Sequence, residues 1–317
     1  MHLVVMIPCY NEEKTIFELI KRIPRKIRGI NKVSVLVMND GSRDKTVEFA
    51  KKAGADKIHS HYPNRGLGQN FKMGIEEALI MGADAVVNID ADLQFNPEDI
   101  PKIIEPIIKG NANVVTATRF KDPKLVPKMP WIKKFGNSIF TSTISFITGK
   151  KFTDTQCGFR AYDKEACLRM NILGRFTYTQ ESILDLAEKK IKIEEVPILV
   201  KGEREGKSRI VKSWYDYGLR AMMIIIRTTR DNHPLKFFGT IGAIVFLAGA
   251  LPGLALFLRW LAKGVTSPYG SLVTLSATLI IVGFLLIVLA LIAEMNIKER
   301  KIIEEMLYEQ KKTKYKV

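Results

Sequence analysis

Cysteine is scarce in this sequence. Cys9, Cys157 and Cys167 are the only three among 317 residues, an odd number with no C-x-x-C pair. That excludes a disulfide framework and a thiolate zinc site, and it fits a reducing compartment. Acidic residues also run short. Asp and Glu total 33 against 49 Lys and Arg, a formal net charge of +16, so the chain calls for an anionic partner: nucleic acid, phosphorylated small molecules or an anionic membrane. Histidine is limited to four residues, none in H-E-x-x-H spacing, and His59 and His61 beside a short apolar run read as structural. The segment after the first apolar run, Pro8-Cys9-Tyr10-Asn11-Glu12, holds no glycine, and G-x-x-x-x-G-K-[ST] is absent. Neither a dinucleotide-binding turn nor a P-loop is therefore present. Internal repeats and low-complexity tracts are missing as well. An apolar share of 47% with 26% charged residues is ordinary for a globular chain, and the length suits one or two domains.

Two stretches have no charge at all. Phe237–Leu258 covers 22 residues and Gly264–Ala293 another 30. About 20 apolar residues span a bilayer core, and globular helices rarely stay uncharged that long. The short linker carries Ser267-Pro268-Tyr269-Gly270, a turn signal, so the spans (about 237–258 and 271–293) form a hairpin with both flanks on one side. Arg227, Arg230 and Lys236 precede it, and Lys298, Arg300 and Lys301 follow it, against Arg259 and Lys263 in the linker. This bias places the flanks in the cytoplasm, and Leu3–Pro8 is too short for a signal-peptide core. The expected organisation is a cytoplasmic domain over 1–212, a juxtamembrane interfacial helix over 213–236, the hairpin over 237–293 and a basic tail over 294–317. An integral protein of the cell membrane follows from that reading.

The soluble part alternates short apolar runs with helical patterns. Leu3–Ile7, Val33–Met38, Lys57–His61, Ala85–Ile89 and Val114–Thr118 read as strands. Glu12–Ile27, Lys45–Lys52, Leu67–Met81 and Pro97–Ile108 read as helices, with Asn96-Pro97 as a start signal. The alternation predicts an α/β fold, a mostly parallel sheet with helices on both faces. In such folds ligands bind at the carboxyl ends of the strands. Asn39-Asp40-Gly41-Ser42 after the second strand suits turn chemistry as well as a base or ribose contact. After the fourth strand comes Asp90-Ala91-Asp92-Leu93-Gln94. Residues two apart in an extended segment face one side, and two neighbouring carboxylates repel unless a cation sits between them. Mg²⁺ takes one or two carboxylates plus phosphate oxygens, so the pair predicts metal and phosphate binding.

Pro8-Cys9-Tyr10-Asn11-Glu12, Asn39-Asp40-Gly41-Ser42, Asp90-Ala91-Asp92 and Asp154-Thr155-Gln156-Cys157-Gly158-Phe159-Arg160 occur in that order. Together they resemble the family 2 glycosyltransferases of GT-A (Rossmann-like) fold. More narrowly they resemble the polyprenyl-phosphate glycosyltransferases, the dolichol-phosphate mannose and glucose synthase group. The resemblance covers about residues 3–210. It implies inverting transfer of a hexose from GDP-mannose or UDP-glucose to a polyprenyl (dolichyl) phosphate. It assigns Pro8, Tyr10, Glu12, Asp40, Asp90 and Ala91 to the nucleotide, and Asp90, Asp92 and Gln94 to Mg²⁺ or Mn²⁺. Asp154, Asp92 and Arg204 take catalytic places, Asp154 as acid, base or orienting group. Arg119, Lys133, Arg204, Lys207 and Ser208 would meet the acceptor phosphate, the last three in Arg204-Glu205-Gly206-Lys207-Ser208, a segment similar to the family's basic R-x-x-G-x-[ST] loop. Cys157 departs from the pattern, since relatives often carry a small residue such as Ser there.

Competing readings are weaker. Processive polysaccharide synthases carry Q-x-x-R-W, but Leu256 stands in the glutamine position before Arg259-Trp260. A non-catalytic, membrane-anchored binding module would be marked by loss of Asp90 or Asp92, and both are present. Nucleic-acid binding has only charge in its favour. Trp131–Phe146 and Trp214–Thr229 pair aromatic and aliphatic residues with flanking cations, as helices in a lipid interface do. The partners expected are a nucleotide sugar, a polyprenyl phosphate and the bilayer, with homo-oligomerisation left open.

Overall fold

The computed structural model describes residues 1–126, 131–171, 178–200, 223, 230 and 234–315. They fall into two units, Met1–Ala221 with Leu307–Val317, and Met222–Met306. Along the chain the second is inserted into the first. The segment expected as a basic tail is thus shared between them.

The first unit holds a seven-stranded sheet. Its strands are β1 (His2–Cys9), β2 (Lys32–Asn39), β3 (Lys57–Ser60), β4 (Ala85–Asn88), β5 (Val114–Thr118), β6 (Arg160–Asp163) and β7 (Ile193–Pro197), in the order β3-β2-β1-β4-β6-β5-β7. Only β6 runs antiparallel to its neighbours, between β4 and β5. The other pairings are parallel, with Leu3 opposite Val33 and Ala85, and Val114 opposite Ile193. The five expected strands are all present, whereas β6 and β7 had no strand signature of their own.

Period-two alternation sorts the strand residues between two cores. Leu3, Val5, Ile7, Val35, Val37 and Val87 pack with Ile16, Leu19 and Ile20 of α1 (Ile16–Arg22), Ala50 of α2 (Thr46–Ala53) and Ile100, Ile103 and Ile104 of α4 (Ile100–Ile108). Val4, Met6, Leu36, Met38 and Val86 pack on the other face with Phe71, Ile75 and Ala78 of α3 (Leu67–Ile80). Ala166 and Leu168 of α6 (Lys164–Arg169) and Leu186 of α7 (Tyr178–Glu188) complete that face. Burial on both faces is why β1, β2 and β4 read as continuous apolar runs. Asn96 acts as expected: its Oδ1 accepts the Glu98 amide at 3.2 Å, opening a 3₁₀ turn over Pro97–Asp99 that leads into α4. The remaining helix of this unit, α5, is Trp131–Thr148.

The second unit is built on α8 (Pro234–Lys263) and on α9 (Gly270–Lys314), whose final turns enter the first unit. Both helices are long and apolar enough to cross a membrane, and outward residues such as Ile244, Leu251 and Leu254 are exposed. Small residues let the two backbones approach, the device expected where lipid removes the hydrophobic drive for association. A Cβ on Gly249 would stand 2.7 Å from the Ser276 carbonyl oxygen, and one on Gly242 would stand 3.0 Å from that of Gly283.

The last turns of α9 pack within the first unit. The Tyr308 hydroxyl donates to Glu165 Oε2 at 2.7 Å, and its ring lies 4.1 Å beneath the Arg169 guanidinium. Lys311 Nζ donates to the carbonyls of Leu168 and Met170 and to Asn171 Oδ1, at 2.9 to 3.2 Å. A cation there satisfies the open carbonyls at the end of α6.

Candidate active site

β1 pairs with β2 on one side and β4 on the other, so the loops leaving the carboxyl ends of three adjacent strands lie side by side, at the edge where α/β sheets bind ligands. Two of those loops are laced together by hydrogen bonds. The Asn11 amide donates to Ser42 Oγ at 2.9 Å, the Arg43 amide to Asn11 Oδ1 at 2.9 Å, and the Glu12 amide to Thr46 Oγ1 at 2.8 Å. Asn11 adopts a left-handed φ of 55°, a conformation that asparagine tolerates and that keeps the Tyr10–Glu12 turn tight. Pro8 is buried at the strand end, and Tyr10 stands partly exposed beyond it. Asp44 accepts the amides of Thr46 and Glu13; burial pushes its carboxyl upward, but the Thr46 and Glu13 hydrogen bonds outweigh this and hold it below the usual range.

Asp40 is engaged within the fold. Its two oxygens accept the Arg65 and Gly66 amides at 2.7 and 3.0 Å. The carboxylate thus ties the β2 terminus to the loop that opens α3, and it is itself buried.

Asp90, Ala91 and Asp92 leave the end of β4 together. Ala91 is buried while both flanking carboxylates are half-buried. Asp92 Oδ1 accepts the Gln94 amide at 3.1 Å, and Leu93 between them has a φ of 58°. That is a strained conformation for a leucine, of the kind that persists where surroundings over-determine it. Gly158 backs Asp90 closely: a Cβ there would lie 2.6 Å from Asp90 Oδ2 and 3.0 Å from the Tyr178 hydroxyl. Asn88 Nδ2 donates to the Gly158 carbonyl at 2.8 Å and to the Tyr178 hydroxyl at 2.9 Å. The donor set is two carboxylates and an amide, all hard oxygens, in a cradle only glycine can line. That suits a small divalent cation completed by phosphate oxygens. No group of three acidic, histidine or cysteine ligands exists among the described residues.

Asp154 is fully buried, and its carboxylate grips Arg119. Arg119 Nε donates to Oδ2 at 2.6 Å and Nη2 to Oδ1 at 3.0 Å. Burial opposes the guanidinium charge, but the Asp154 bonds and charge more than compensate, so its pKa rises. The Gln156 amide adds a third bond to Asp154 at 3.1 Å. With both oxygens engaged and no exposed edge, Asp154 holds the Arg119 guanidinium in place. Arg160 went unnoticed as anything but part of a motif. It is wholly buried, and its guanidinium donates to the Thr155 and Thr179 carbonyls and to Ser182 Oγ. It therefore pins the loop 154–160 to α7.

Lys133 falls in the first turn of α5. Arg204, Lys207 and Ser208 lie outside the described residues, as do most of 213–236 and Lys128.

The three cysteines are buried. Desolvation, followed by the charges of Glu12, Asp44 and Asp40, pushes Cys9 up to about 12. Burial followed by Asp154 does the same for Cys157, and burial raises Cys167 as well. The thiolate is the reactive form, so the folded protein should take up no iodoacetamide at pH 8, and three adducts in denaturant, by intact mass. Labelling of Cys9 in the folded chain would contradict this account of the β1 terminus.

The profile for glycosyl transferase family 2 matches residues 4–169. The chain is 32% identical over 217 residues to UDP-N-acetylglucosamine–dolichyl-phosphate N-acetylglucosaminyltransferase of Methanococcus voltae, covering 61% of this chain and 83% of that one. It is 31% identical over 277 residues to undecaprenyl-phosphate 4-deoxy-4-formamido-L-arabinose transferase of Pectobacterium carotovorum, covering 82% and 79%. Among solved structures, glucosyl-3-phosphoglycerate synthase from Mycobacterium tuberculosis, in complex with Mn²⁺, UDP and glucosyl-3-phosphoglycerate, superposes with a TM-score of 0.52 at 18% identity, covering 72% of this chain and 78% of that one. The fold is thus the expected mostly parallel GT-A-like sheet, and the chain belongs to glycosyl transferase family 2.

Proposed function

We propose that the protein transfers a sugar from a nucleotide sugar to a polyprenyl phosphate at a membrane surface. The observation that carries this reading is the Asp90–Asp92 pair beyond the carboxyl end of β4, in a chain that also holds two helices able to cross a bilayer. The relatives named for dolichyl- and undecaprenyl-phosphate acceptors support the acceptor class.

Asp90, Asp92 and Gln94 would hold Mg²⁺ or Mn²⁺, beside Ala91. Bound there, the cation supplies Lewis-acid neutralisation of the departing nucleoside diphosphate. Pro8, Tyr10 and Glu12 border the nucleotide from the β1 side. Arg119, oriented by Asp154, presents positive charge toward the phosphates, and Lys133, Arg204, Lys207 and Ser208 bind the acceptor. A lipid phosphate has a second pKa of about 6 and is mostly dianionic at neutral pH. It needs no strong base to attack the sugar, which accords with the buried, engaged state of Asp154. Attack opposite the leaving diphosphate inverts the anomeric centre, so an α-linked donor gives a β-linked lipid-phosphate sugar. The catalytic unit faces the cytoplasm, in keeping with the basic flanks of the spans.

The sugar is to be fixed by experiment. Membranes containing the protein, a panel of radiolabelled GDP-mannose, UDP-glucose and UDP-N-acetylglucosamine, and organic extraction of labelled lipid decide it. One donor is expected to yield labelled lipid that is lost on chelation. No labelled lipid from any donor, with labelled sugar transferred to a soluble acceptor and the nucleoside diphosphate released, would overturn the acceptor class.

A further inference from the structure

Glu195 stands on β7, which pairs with β5 so that Glu195 lies opposite Thr116. Charged residues on an edge strand are commonly there to discourage pairing with other chains, and the neighbouring Glu194 is exposed in that manner. Glu195 behaves differently. Its carboxylate accepts three donors from the loop before β6. The Thr153 amide donates to Oε1 at 2.8 Å and Oε2 at 3.0 Å, Thr153 Oγ1 donates to Oε2 at 3.0 Å, and the Asp154 amide donates to Oε1 at 3.0 Å. Thr153 Oγ1 also bonds Thr118 Oγ1 at 2.6 Å, one residue before Arg119. Lys121 closes the circuit from the other side, donating to the Glu195 carbonyl at 2.9 Å.

We infer that Glu195 is a positioning residue: by fixing the Thr153–Asp154 backbone it aims the Asp154 carboxylate, and through it the Arg119 guanidinium, at the phosphates of the reactants. The step to the reactants rests on the proposed function. The link from Glu195 to Arg119 rests on the geometry alone. A residue two bonds removed from a functional group commonly matters 10- to 100-fold, and it does so by orientation, without touching substrate. The same carboxylate takes up the Thr153 and Asp154 amides, while the Asp154 side-chain oxygens accept the Arg119 guanidinium, the Arg119 amide and the Gln156 amide.

The test is a double-mutant cycle in the full-length protein in nanodiscs, with Glu195→Gln and Arg119→Lys. A glutamine can accept through one oxygen only, so it loses part of the clamp at nearly constant volume. Glu195→Gln is expected to lower turnover about 10- to 100-fold with little change in the KM for donor. The double variant should be no slower than Arg119→Lys alone, because groups acting through one another do not add. Glu195→Asp should recover part of the loss. The Arg119 Nε–H resonance, visible by NMR when the guanidinium is clamped, is expected to weaken in Glu195→Gln. Turnover losses that multiply, or an unchanged Nε–H signal, would overturn the inference. Absence of lipid-phosphate transfer in the parent would instead overturn the proposed function, and the Nε–H measurement would still decide the role of Glu195.

Discussion

Asp92→Ala is expected to lower sugar transfer by about 1,000-fold. A metal held at a developing diphosphate supplies several kcal/mol of stabilisation, and each ~1.4 kcal/mol lost is a tenfold loss of rate. Asp92 is half-buried, and among its contacts is the 3.1 Å bond from the Gln94 amide, so thermal stability should change far less than activity. Asp92→Asn separates the two roles. It keeps an acceptor for that amide while removing the charge, and it should be nearly as inactive as the alanine variant. Excess chelator should abolish transfer by the parent, and Mg²⁺ or Mn²⁺ should restore it. Full activity of Asp92→Ala in chelator would end the metal reading.

Gly158→Ala should disturb the Asp90 site directly. Its Cβ would stand 2.6 Å from Asp90 Oδ2, 3.0 Å from the Tyr178 hydroxyl and 3.2 Å from Asp90 Oδ1. Tyr178 has nowhere to go, being buried and stacked on Phe71 at 4.1 Å between ring centres. The Gly158 carbonyl is held by Asn88. Asp90 therefore has to swing. Overpacking of this kind costs about 1–3 kcal/mol, and displacing a ligand of the cation should weaken Mn²⁺ binding about 10- to 100-fold, read by EPR titration of free Mn²⁺. Gly149→Ala is the control. Its φ of 66° makes alanine strained, but nothing lies within 4 Å of its Cβ. It should lose stability and keep the metal affinity. Parental Mn²⁺ affinity in Gly158→Ala would show that Asp90 is not the group the glycine makes room for.

Some of this was written plainly in the sequence and some was not, for physical reasons. β1, β2, β4 and β5 are legible because strands covered on both faces must be apolar throughout. The Asp90–Asp92 pair is legible because a charge pair directly after such a strand has little structural use. β6 is not legible. Arg160-Ala161-Tyr162-Asp163 looks like a polar loop, yet Arg160 and Tyr162 are buried, and the terminal guanidinium nitrogens donate to the Thr155 carbonyl and to Thr179 and Ser182 of α7. Residue type alone likewise suggests that Asp40 and Asp154 meet ligands. What they bind, two backbone amides and a guanidinium, becomes visible only once Arg65, Gly66 and Arg119 are in place. Glu195 carries no local signal of its role, because glutamates on an edge strand are commonly exposed. The docking of Tyr308 and Lys311 depends on partners about 140 positions earlier, a distance over which local pattern says nothing.

That docking sets an order of events during synthesis. Tyr308 lies in the same apolar cluster as Phe71, Tyr162 and Leu168, so the core of the first unit is closed by residues translated after both apolar helices. A ribosome that has just finished β7 exposes a sheet with that flank of α6 bare, and it remains bare while roughly a hundred further residues emerge. The two apolar stretches therefore leave the ribosome before the first unit can be completed.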